Sequence, residues 1–273
     1  MNTSRKLITA AAAATALAFG LAACAPAADA EDPADGSLGT IKVGALETPA
    51  GDILKFVADN LAADAGLTIE FVPFTDYNTP NTALSSGAVD ANLFQNETFL
   101  ADYNQAAGDD LVSLGQVYLP SAAFYSDKVD SIDDLEDGAK IAIPNDPTNE
   151  GRALKILAAE GLIETTEEPT TLGDITSNPS DFEFVEIENA TLPQAVADVD
   201  TAFVTISFAL PAGLTGEDAI LTEGEDSPYF NVLATTPELE DDPRVTKLFE
   251  LLHSEETKQF LIDTWGGLVV PTA

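Results

Sequence analysis

Few side chains of this 273-residue sequence could do nucleophilic or acid–base chemistry, apart from its many carboxylates. His253 is the only histidine and Cys24 is the only cysteine. Catalytic arrangements that need two histidines are therefore excluded, and one cysteine forms neither an internal disulfide nor a cysteine-rich zinc site. Cations are also scarce, because Arg152 and Arg244 are the only arginines that follow Cys24.

Arg152 lies at a position where an arginine could bind an anionic ligand. The segment Pro144–Leu154 (PNDPTNEGRAL) passes from a predicted strand through turn residues into a predicted helix. Free backbone N–H groups at a helix start attract anions, and an arginine beside them can hold a carboxylate through two parallel hydrogen bonds. The alternative is a surface arginine paired with Glu150 or another acid, and spacing alone favours neither.

Three further segments combine aromatic and amide side chains next to predicted strands. The first contains Tyr77, the second contains Phe94 and Phe99, and the third contains Asn231. A tyrosine ring can line a pocket while its hydroxyl makes a hydrogen bond, and an asparagine between apolar neighbours needs a polar partner. A ligand could be that partner, whereas ordinary core packing is the alternative for the two phenylalanines.

Acidic residues dominate the composition and exclude several classes of function. The chain has 47 Asp and Glu against 11 Lys and Arg, a net charge of −36. So negative a surface repels the phosphates of nucleic acids and anionic lipid headgroups. The sequence has neither a Gly-x-Ser-x-Gly elbow nor a phosphate loop. We therefore predict a protein that is not an enzyme and has no cofactor, metal or nucleic-acid partner; a secreted enzyme and an adhesive lipoprotein remain as alternatives.

The start of the chain predicts a lipoprotein signal peptide over residues 1–23. Two basic residues precede an alanine-rich apolar run, which ends in Leu21-Ala22-Ala23-Cys24. This ending resembles a bacterial lipobox, whose cysteine becomes the lipidated first residue of the mature protein. The run is too short for a membrane-spanning helix. We predict a flexible tether over 24–39 and a lipid anchor at Cys24, on the extracytoplasmic face of the cell membrane.

Strand and helix patterns alternate in two successive runs along the rest of the chain. The predicted strands are 41–46, 67–72, 89–94, 140–144, 182–187 and 202–206, and the predicted helices are 51–63, 79–86, 98–107, 150–160, 192–199 and 243–262. Such alternation is typical of mostly parallel sheets with crossover helices. We predict two α/β lobes, formed by 40–121 with the return segment 229–273, and by 122–228. Ligand sites favour such interfaces between lobes.

Four motifs are specific when they are taken together: Phe74-Thr75-Asp76-Tyr77 with Pro80-Asn81, Asp90–Gln95 (DANLFQ), Ile143–Asp146 (IPND) with Asn149–Leu154 (NEGRAL), and Ser227-Pro228-Tyr229 with Asn231. With these motifs the sequence resembles the methionine-binding lipoprotein (MetQ/NlpA) family, the substrate-binding components of methionine ABC importers. The resemblance covers 41–271. It implies a two-lobed periplasmic-binding-protein fold, type II-like, with the ligand cleft between the lobes and an ABC permease as partner.

The resemblance also implies roles for individual residues. Arg152 would hold the ligand carboxylate, Asn231 would contact the backbone groups of an amino acid, and Tyr77 would line the side-chain pocket. Phe94 and Asn145 belong to motifs near that cleft. We therefore expect an Arg152→Ala variant to lose ligand affinity while its fold stays intact.

Four positions depart from the family pattern and bear on the ligand. Asn96 stands where the family motif has a histidine, and Phe99 stands where it has a tyrosine. Thr205 and Ser207 stand where the family usually has asparagines, and hydroxyls offer fewer donors than amides. Methionine is the predicted ligand, and a dipeptide or another apolar amino acid is the alternative. The predicted ligand-binding set is Tyr77, Phe94, Asn96, Phe99, Asn145, Arg152, Thr205, Ser207 and Asn231.

Overall fold

The computed structural model describes residues 36–224 and 226–272. The predicted signal peptide, Cys24 and most of the predicted tether lie outside these residues. Within them the strands are β1 (Gly39–Leu46), β2 (Leu67–Phe74), β3 (Ala91–Asn96), β4 (Val112–Pro120), β5 (Ala122–Tyr125), β6 (Lys140–Pro144), β7 (Glu164–Thr165), β8 (Ile175–Ser177), β9 (Glu183–Ile187), β10 (Thr201–Thr205), β11 (Ala219–Thr222), β12 (Asn231–Thr235) and β13 (Val269–Pro271).

Helices connect most of these strands. They are α1 (Asp52–Val57), α2 (Pro80–Ser85), α3 (Glu97–Ala107), α4 (Pro147–Ala159), α5 (Leu192–Ala195), α6 (Ile206–Ala212), α7 (Pro243–Leu252) and α8 (Glu255–Trp265). Wider π-type turns flank α1 at Glu47–Gly51 and Ala58–Ala62. In the part of the chain that the structure describes, no helix combines the length and the apolar character needed to cross a bilayer.

Two sheets form the bases of two lobes. The first has the strand order β13-β4-β12-β3-β1-β2, and the second has the order β11-β5-β10-β6-β9. Each sheet has a core of three parallel strands, β3-β1-β2 in one and β10-β6-β9 in the other. The expected parallel arrangement applies only to these cores, because the strands added beside them run antiparallel.

The chain crosses between the sheets twice. It passes from β4 to β5 through Ser121, and it returns from β11 to β12 through residues 223–230. A backbone hydrogen bond from Glu223 N to Ala122 O, 2.9 Å long, holds the two crossings side by side. The two segments that connect the lobes therefore lie next to each other.

Each lobe has its own apolar core, and a third cluster lies between the lobes. The first core packs the helices around α1 and α7 against β1, with Ile41, Ile53 and Leu248 fully buried. The second packs α4 against β6 and β10 through residues such as Leu154 and Phe203. The third brings aromatic side chains of the first lobe against β10, α5 and α6 of the second. Apolar burial therefore stabilises the contact between lobes as well as each lobe.

The helical region 243–262 and helix α6 differ from the sequence-based expectation, and the predicted helix 192–199 ends earlier, at Ala195. The region 243–262 was expected to be one helix, but α7 ends at Leu252 and α8 starts anew at Glu255. Ser254 interrupts it, because its side chain accepts a hydrogen bond from Thr257 N and so caps α8. Helix α6 was not predicted: the predicted strand 202–206 included Ile206, which instead begins this helix, and a proline such as Pro211 is unusual inside a helix.

Gly151 allows a loop to pack closely on α4, next to Arg152. A Cβ atom added at Gly151 would lie 2.0 Å from the carbonyl oxygen of Pro169. The loop that carries Pro169 would have to move away from the helix. Glycine is therefore required at this position because the loop lies so close to the helix, and not because of its φ and ψ angles.

We expect Gly151→Ala to destabilise the protein, although alanine favours helices by about 1 kcal/mol over glycine. The clash with Pro169 should outweigh that gain and cost about 2 kcal/mol or more. Urea unfolding of the two proteins measures the difference. Gly173→Ala is the matched control, because its added Cβ would lie 3.4 Å from Thr171 Oγ1, an ordinary contact. Equal effects of the two substitutions would contradict this explanation.

Candidate ligand-binding site

A small cavity of about 10 Å³ lies where the two lobes meet. Its walls come from the carboxyl ends of β2, β3 and β10 and from the start of α4, which is where ligands bind in open α/β sheets. The lining residues are Tyr77, Phe94, Gln95, Asn96, Phe99, Pro120, Asn149, Arg152, Thr205 and Asn231. Seven of the nine residues predicted from the sequence are in this set.

The other two predicted residues lie outside the cavity wall. Asn145 is exposed in the turn that precedes α4, and the amide that faces the cavity from this segment is Asn149. Ser207 is buried in the first turn of α6, near the hydroxyl of Tyr77. A signal for Asn149 was present in the sequence, because it stands three residues before Arg152 and so shares a helix face with it.

Arg152 is buried at this cavity, with only 2% of its side chain exposed, and forms an ion pair with Glu223. Its Nε donates to Glu223 Oε1 at 2.8 Å, and its Nη2 donates to Glu223 Oε2. Nη2 also donates to the carbonyl oxygen of Pro120 at 2.8 Å. The guanidinium lies over the Tyr229 ring, 4.9 Å from its centre. Among the described residues, its hydrogen bonds involve Nε and Nη2 and not Nη1.

These bonds connect α4 to both crossings of the chain. Pro120 ends β4 immediately before the first crossing, and Glu223 begins the second crossing. Ser227 of the second crossing donates to Glu223 Oε1 at 2.8 Å and fixes that carboxylate further. The orientation of Arg152 is therefore tied to the geometry of the connection between the lobes.

Tyr77 spans the cleft from the first lobe to the second. Its hydroxyl lies 3.0 Å from Thr205 Oγ1, at the end of β10. Burial raises the pKa of Tyr77, and the hydroxyls of Thr205 and Ser207 oppose that rise. The predicted site residues Thr205 and Ser207 thus act on Tyr77 from the second lobe.

Aromatic rings form one wall of the cavity. The Tyr77 ring lies 5.8 Å from Phe94, 6.0 Å from Phe99 and 4.8 Å from Phe208 between ring centres. Phe94 has no partner residue in the pairing of β3 with β12, because the register shifts there. Such a bulge redirects a side chain and is common next to binding sites. This wall suits an apolar or sulfur-containing side chain.

Asn96 and Asn231 enter the cavity from neighbouring positions on β3 and β12. Asn96 caps α3, because its Oδ1 accepts a hydrogen bond from Phe99 N at 3.0 Å. Asn231 donates from Nδ2 to the Tyr118 hydroxyl at 3.0 Å, and burial raises the pKa of that tyrosine. Both amides are therefore held in place by protein groups.

A buried amide network supports Gln95, which the sequence analysis did not assign to the site. Asn81 Nδ2 donates to Gln95 Oε1 at 2.7 Å, and Gln95 Nε2 donates to Asn81 Oδ1 at 2.6 Å. Asn92 Nδ2 also donates to Asn81 Oδ1, at 2.9 Å. These bonds hold Gln95 in one orientation at the cavity wall.

The cleft is closed, and a groove lies beside it. A cavity of about 10 Å³ accommodates roughly one water molecule, so an amino acid enters only if the lobes separate or the aromatic side chains rotate. Thr148 Oγ1 donates to Asp102 Oδ2 at 2.7 Å and joins α4 to α3 across the lobes. The neighbouring groove of about 240 Å³ shares Tyr77 and Phe99 with the cavity.

Glu150 is a buried acid near Arg152 that is not paired with it. Glu150 is only 2% exposed, and its Oε1 atom has no hydrogen-bond partner among the described residues. Burial, together with the neighbouring Glu186 carboxylate, raises the pKa of Glu150 from 4.5 to about 7. The alternative that spacing left open, a surface arginine paired with Glu150 or another acid, is correct only in that Arg152 pairs with an acid: the partner is Glu223, and the pair is buried.

We expect Glu150→Gln to stabilise the protein above about pH 7 and to leave its stability near pH 4.5 unchanged. In the unfolded chain Glu150 ionises near its ordinary pKa, whereas the folded protein holds the proton until about pH 7. The contribution of Glu150 to the free energy of unfolding therefore falls as the pH rises from 4.5 to about 7. Glutamine mimics the protonated acid and removes this loss of stability. At pH ~8 we expect the variant to gain about 2 kcal/mol in free energy of unfolding, or about 5 °C in Tm.

Thermal unfolding at both pH values measures this effect. Glu183→Gln is the control, because Glu183 is an exposed acid on the same strand as Glu186 and should alter stability by less than about 0.5 kcal/mol. A Glu150→Gln variant with equal gains at both pH values, or none, would contradict the assignment.

Comparisons with known proteins agree over nearly the whole described chain. The family model described as NlpA lipoprotein matches residues 41–273. The D-methionine-binding lipoprotein MetQ of Escherichia coli (strain K12) is 38% identical over 235 residues, which cover 83% of this chain and 86% of that protein. The corresponding protein of Salmonella typhi is 39% identical, again over 83% of this chain and 86% of that protein.

Solved structures agree with the two-lobed fold. A nutrient binding protein from Burkholderia cenocepacia, bound to methionine, has a TM-score of 0.82 at 36% identity, covering 85% of this chain and 100% of that chain. An ABC transporter periplasmic substrate-binding protein from Coxiella burnetii has a TM-score of 0.82 at 37% identity, over 85% and 100%. By family match, identity and coverage, the chain belongs to the NlpA lipoprotein family and has the two-lobed fold of substrate-binding proteins.

Proposed function

We propose that this protein captures methionine outside the membrane and delivers it to the permease of an ABC importer. The observation that carries the proposal is one buried arginine in an aromatic and amide-lined cavity between two lobes. Support also comes from relatives named for D-methionine binding and from a similar structure bound to methionine. Separation of the lobes admits the ligand, and their closure buries it.

In this proposal each wall of the cavity binds one part of the amino acid. Nη1 of Arg152 donates to the ligand carboxylate. Asn149 and Asn231 offer amide oxygens to the ammonium group, because their Nδ2 atoms already donate to Asp146 and to the Tyr118 hydroxyl. Tyr77 and Phe99 pack on the side chain, where sulfur–aromatic contacts add about 0.3–1.5 kcal/mol each.

A longer ligand is the second candidate, because of the groove beside the cavity. The groove lies on the other side of Tyr77 and Phe99, and most of its lining is apolar. If these two rings turned aside, the cavity and the groove would form one site. A dipeptide or another apolar amino acid would then fit, as the substitutions at Asn96, Thr205 and Ser207 suggest.

Lobe limits and membrane attachment complete the proposal. Lobe limits of 40–121, 122–228 and 229–273 are supported by the membership of the two sheets, which changes at Ser121 and again between Thr222 and Asn231. Attachment through lipid on Cys24 is supported by relatives that are named lipoproteins. The role is binding without catalysis, in keeping with a family of transporter components.

We expect L-methionine to raise the Tm of the ligand-stripped protein by about 10 °C. Ligand at a thousand times its Kd adds about 4 kcal/mol to the free energy of unfolding. Differential scanning calorimetry measures the shift, with D-methionine, leucine and methionyl dipeptides as parallel ligands. A shift with a dipeptide alone would transfer support to the second candidate. No shift with any of these ligands would contradict both.

We expect Arg152→Lys to weaken methionine binding by about tenfold to a hundredfold, because lysine keeps the charge but loses the planar set of donors. Isothermal titration calorimetry measures the affinity. Arg244→Lys is the matched control, because Arg244 also binds a carboxylate through Nε and Nη2, that of Asp242, far along the chain at the start of α7. Equal affinities of the two variants would contradict the role of Arg152.

Lysine is preferred to alanine at this position because the ion pair is buried. Removing the arginine would leave Glu223 without its counter-charge, at a cost of about 3–5 kcal/mol. The expectation that Arg152→Ala leaves the fold intact stays a prediction, but the buried pair implies that this variant is less stable than the unsubstituted protein. Alanine would lower stability and affinity together and would not separate the two.

A further inference from the structure

We propose that Glu223 sets the charge preference of the cleft, so that the site binds zwitterionic amino acids and discriminates against anions that lack the ammonium group. The inference rests on the proposed function, since it concerns how the same cavity treats an amino acid. Glu223 is not a lining residue of the cavity and acts on the ligand through Arg152 and through its own charge.

The first support is the geometry of the pair. Glu223 occupies the Nε and Nη2 edge of Arg152, and its side chain is only 6% exposed. A ligand carboxylate is therefore confined to Nη1, a few ångströms from a second carboxylate. In a site with little water, the repulsion between these two carboxylates is poorly screened.

The second support is the charge inventory of the cavity. Of its ten lining residues, Arg152 is the only one that carries a charge, and Glu223 balances it. Two further acids belong to the segment that carries Arg152: Asp146, the N-cap of α4, whose carboxylate accepts hydrogen bonds from Asn149 and Asn189, and Glu150 in the first turn of that helix, which is not paired with Arg152. The charges of Arg152 and Glu223 therefore sum to zero at the cavity wall, and Asp146 and Glu150 stand outside the ten lining residues.

A zwitterion and an anion respond differently to this balance. For a zwitterion, Glu223 repels the carboxylate but attracts the ammonium group, and the two effects largely cancel. For an anion of the same length, only the repulsion remains. The difference between the two ligands is one charge–charge attraction within the site, which corresponds to about tenfold or more in Kd.

The third support is the rigidity of Glu223. Its backbone N–H donates to Ala122 O of the other crossing, and its Oε1 also accepts from the Ser227 hydroxyl. A carboxylate held by main chain, arginine and serine does not swing away when a ligand arrives. Its charge therefore acts on every ligand from the same position.

The test compares two ligands on the mature protein by isothermal titration calorimetry. L-methionine is the zwitterion, and 4-(methylthio)butanoate is the anion with the same side chain and carboxylate. The quantity measured is the ratio of the Kd of the anion to the Kd of methionine. In Glu223→Gln, which keeps the shape and removes the charge, we expect this ratio to fall about tenfold or more relative to the unsubstituted protein.

Two variants serve as controls. Glu223→Asp retains the charge and should keep the ratio within about threefold of the unsubstituted value. Glu250→Gln removes an acid of the exposed Lys247–Glu250 pair on α7 and should leave the ratio unchanged. If Glu223→Gln weakens both ligands equally and the ratio stays the same, Glu223 only holds Arg152 in place, and the proposal is overturned.

Failure of the proposed function gives a different result. If the unsubstituted protein does not bind methionine, the proposed function is wrong, and the same ratio is measured with the amino acid or dipeptide that does bind and its desamino analogue. If Glu223→Gln is unfolded in dilute buffer, every protein is measured in concentrated sucrose, an excluded osmolyte that favours the folded state. In both cases the proposal is overturned if Glu223→Gln has the same Kd ratio as the unsubstituted protein, and it is supported if the ratio of the variant is lower.

Discussion

A guanidinium that is almost completely withdrawn from water needs a counter-charge and partners for its donors, and the ion pair of Arg152 with Glu223 meets that need. The pair also fixes the architecture around it, because Pro120 and Glu223 belong to the two segments that connect the lobes. Helix α4, both crossings and the cavity wall are thus tied to one charged group. Loss of either partner would leave a buried charge uncompensated, so the site and the connection between lobes depend on the same interaction.

The cavity differs sharply from the protein surface. A chain with a net charge of −36 has no acid among the ten residues that line its cavity, and the single arginine there is balanced. Surface acids are screened by salt over about 8–10 Å, whereas a buried pair is screened much less. In the proposed function, ligand selection would therefore depend on local charge, amides and aromatic rings, and the acidic surface would contribute solubility and long-range repulsion.

Much of this arrangement could be predicted from the sequence. Apolar periodicity predicted the parallel strand cores, since strands such as β1, β6 and β10 are short apolar runs between helices. Asn145 was predicted where Asn149 faces the cavity, although the spacing of Asn149 to Arg152 was a usable signal, because α4 begins earlier than the predicted helix and includes Asn149. Glu223 could not be found at all: with 47 acidic residues, no single one stands out, and its pairing with Arg152 depends on a contact 71 residues away. Closure of the cleft likewise depends on contacts between lobes, such as Tyr77 with Thr205.

A crystal structure of the protein with L-methionine would test the central claim most directly, namely that Arg152 binds the ligand while it stays paired with Glu223. The account predicts a ligand carboxylate within hydrogen-bond distance of Nη1, with Nε and Nη2 still bound to Glu223 and Pro120. It also predicts the methionine side chain against Tyr77 and Phe99. A carboxylate bound away from Arg152, or a Glu223 displaced from the guanidinium by the ligand, would contradict the account.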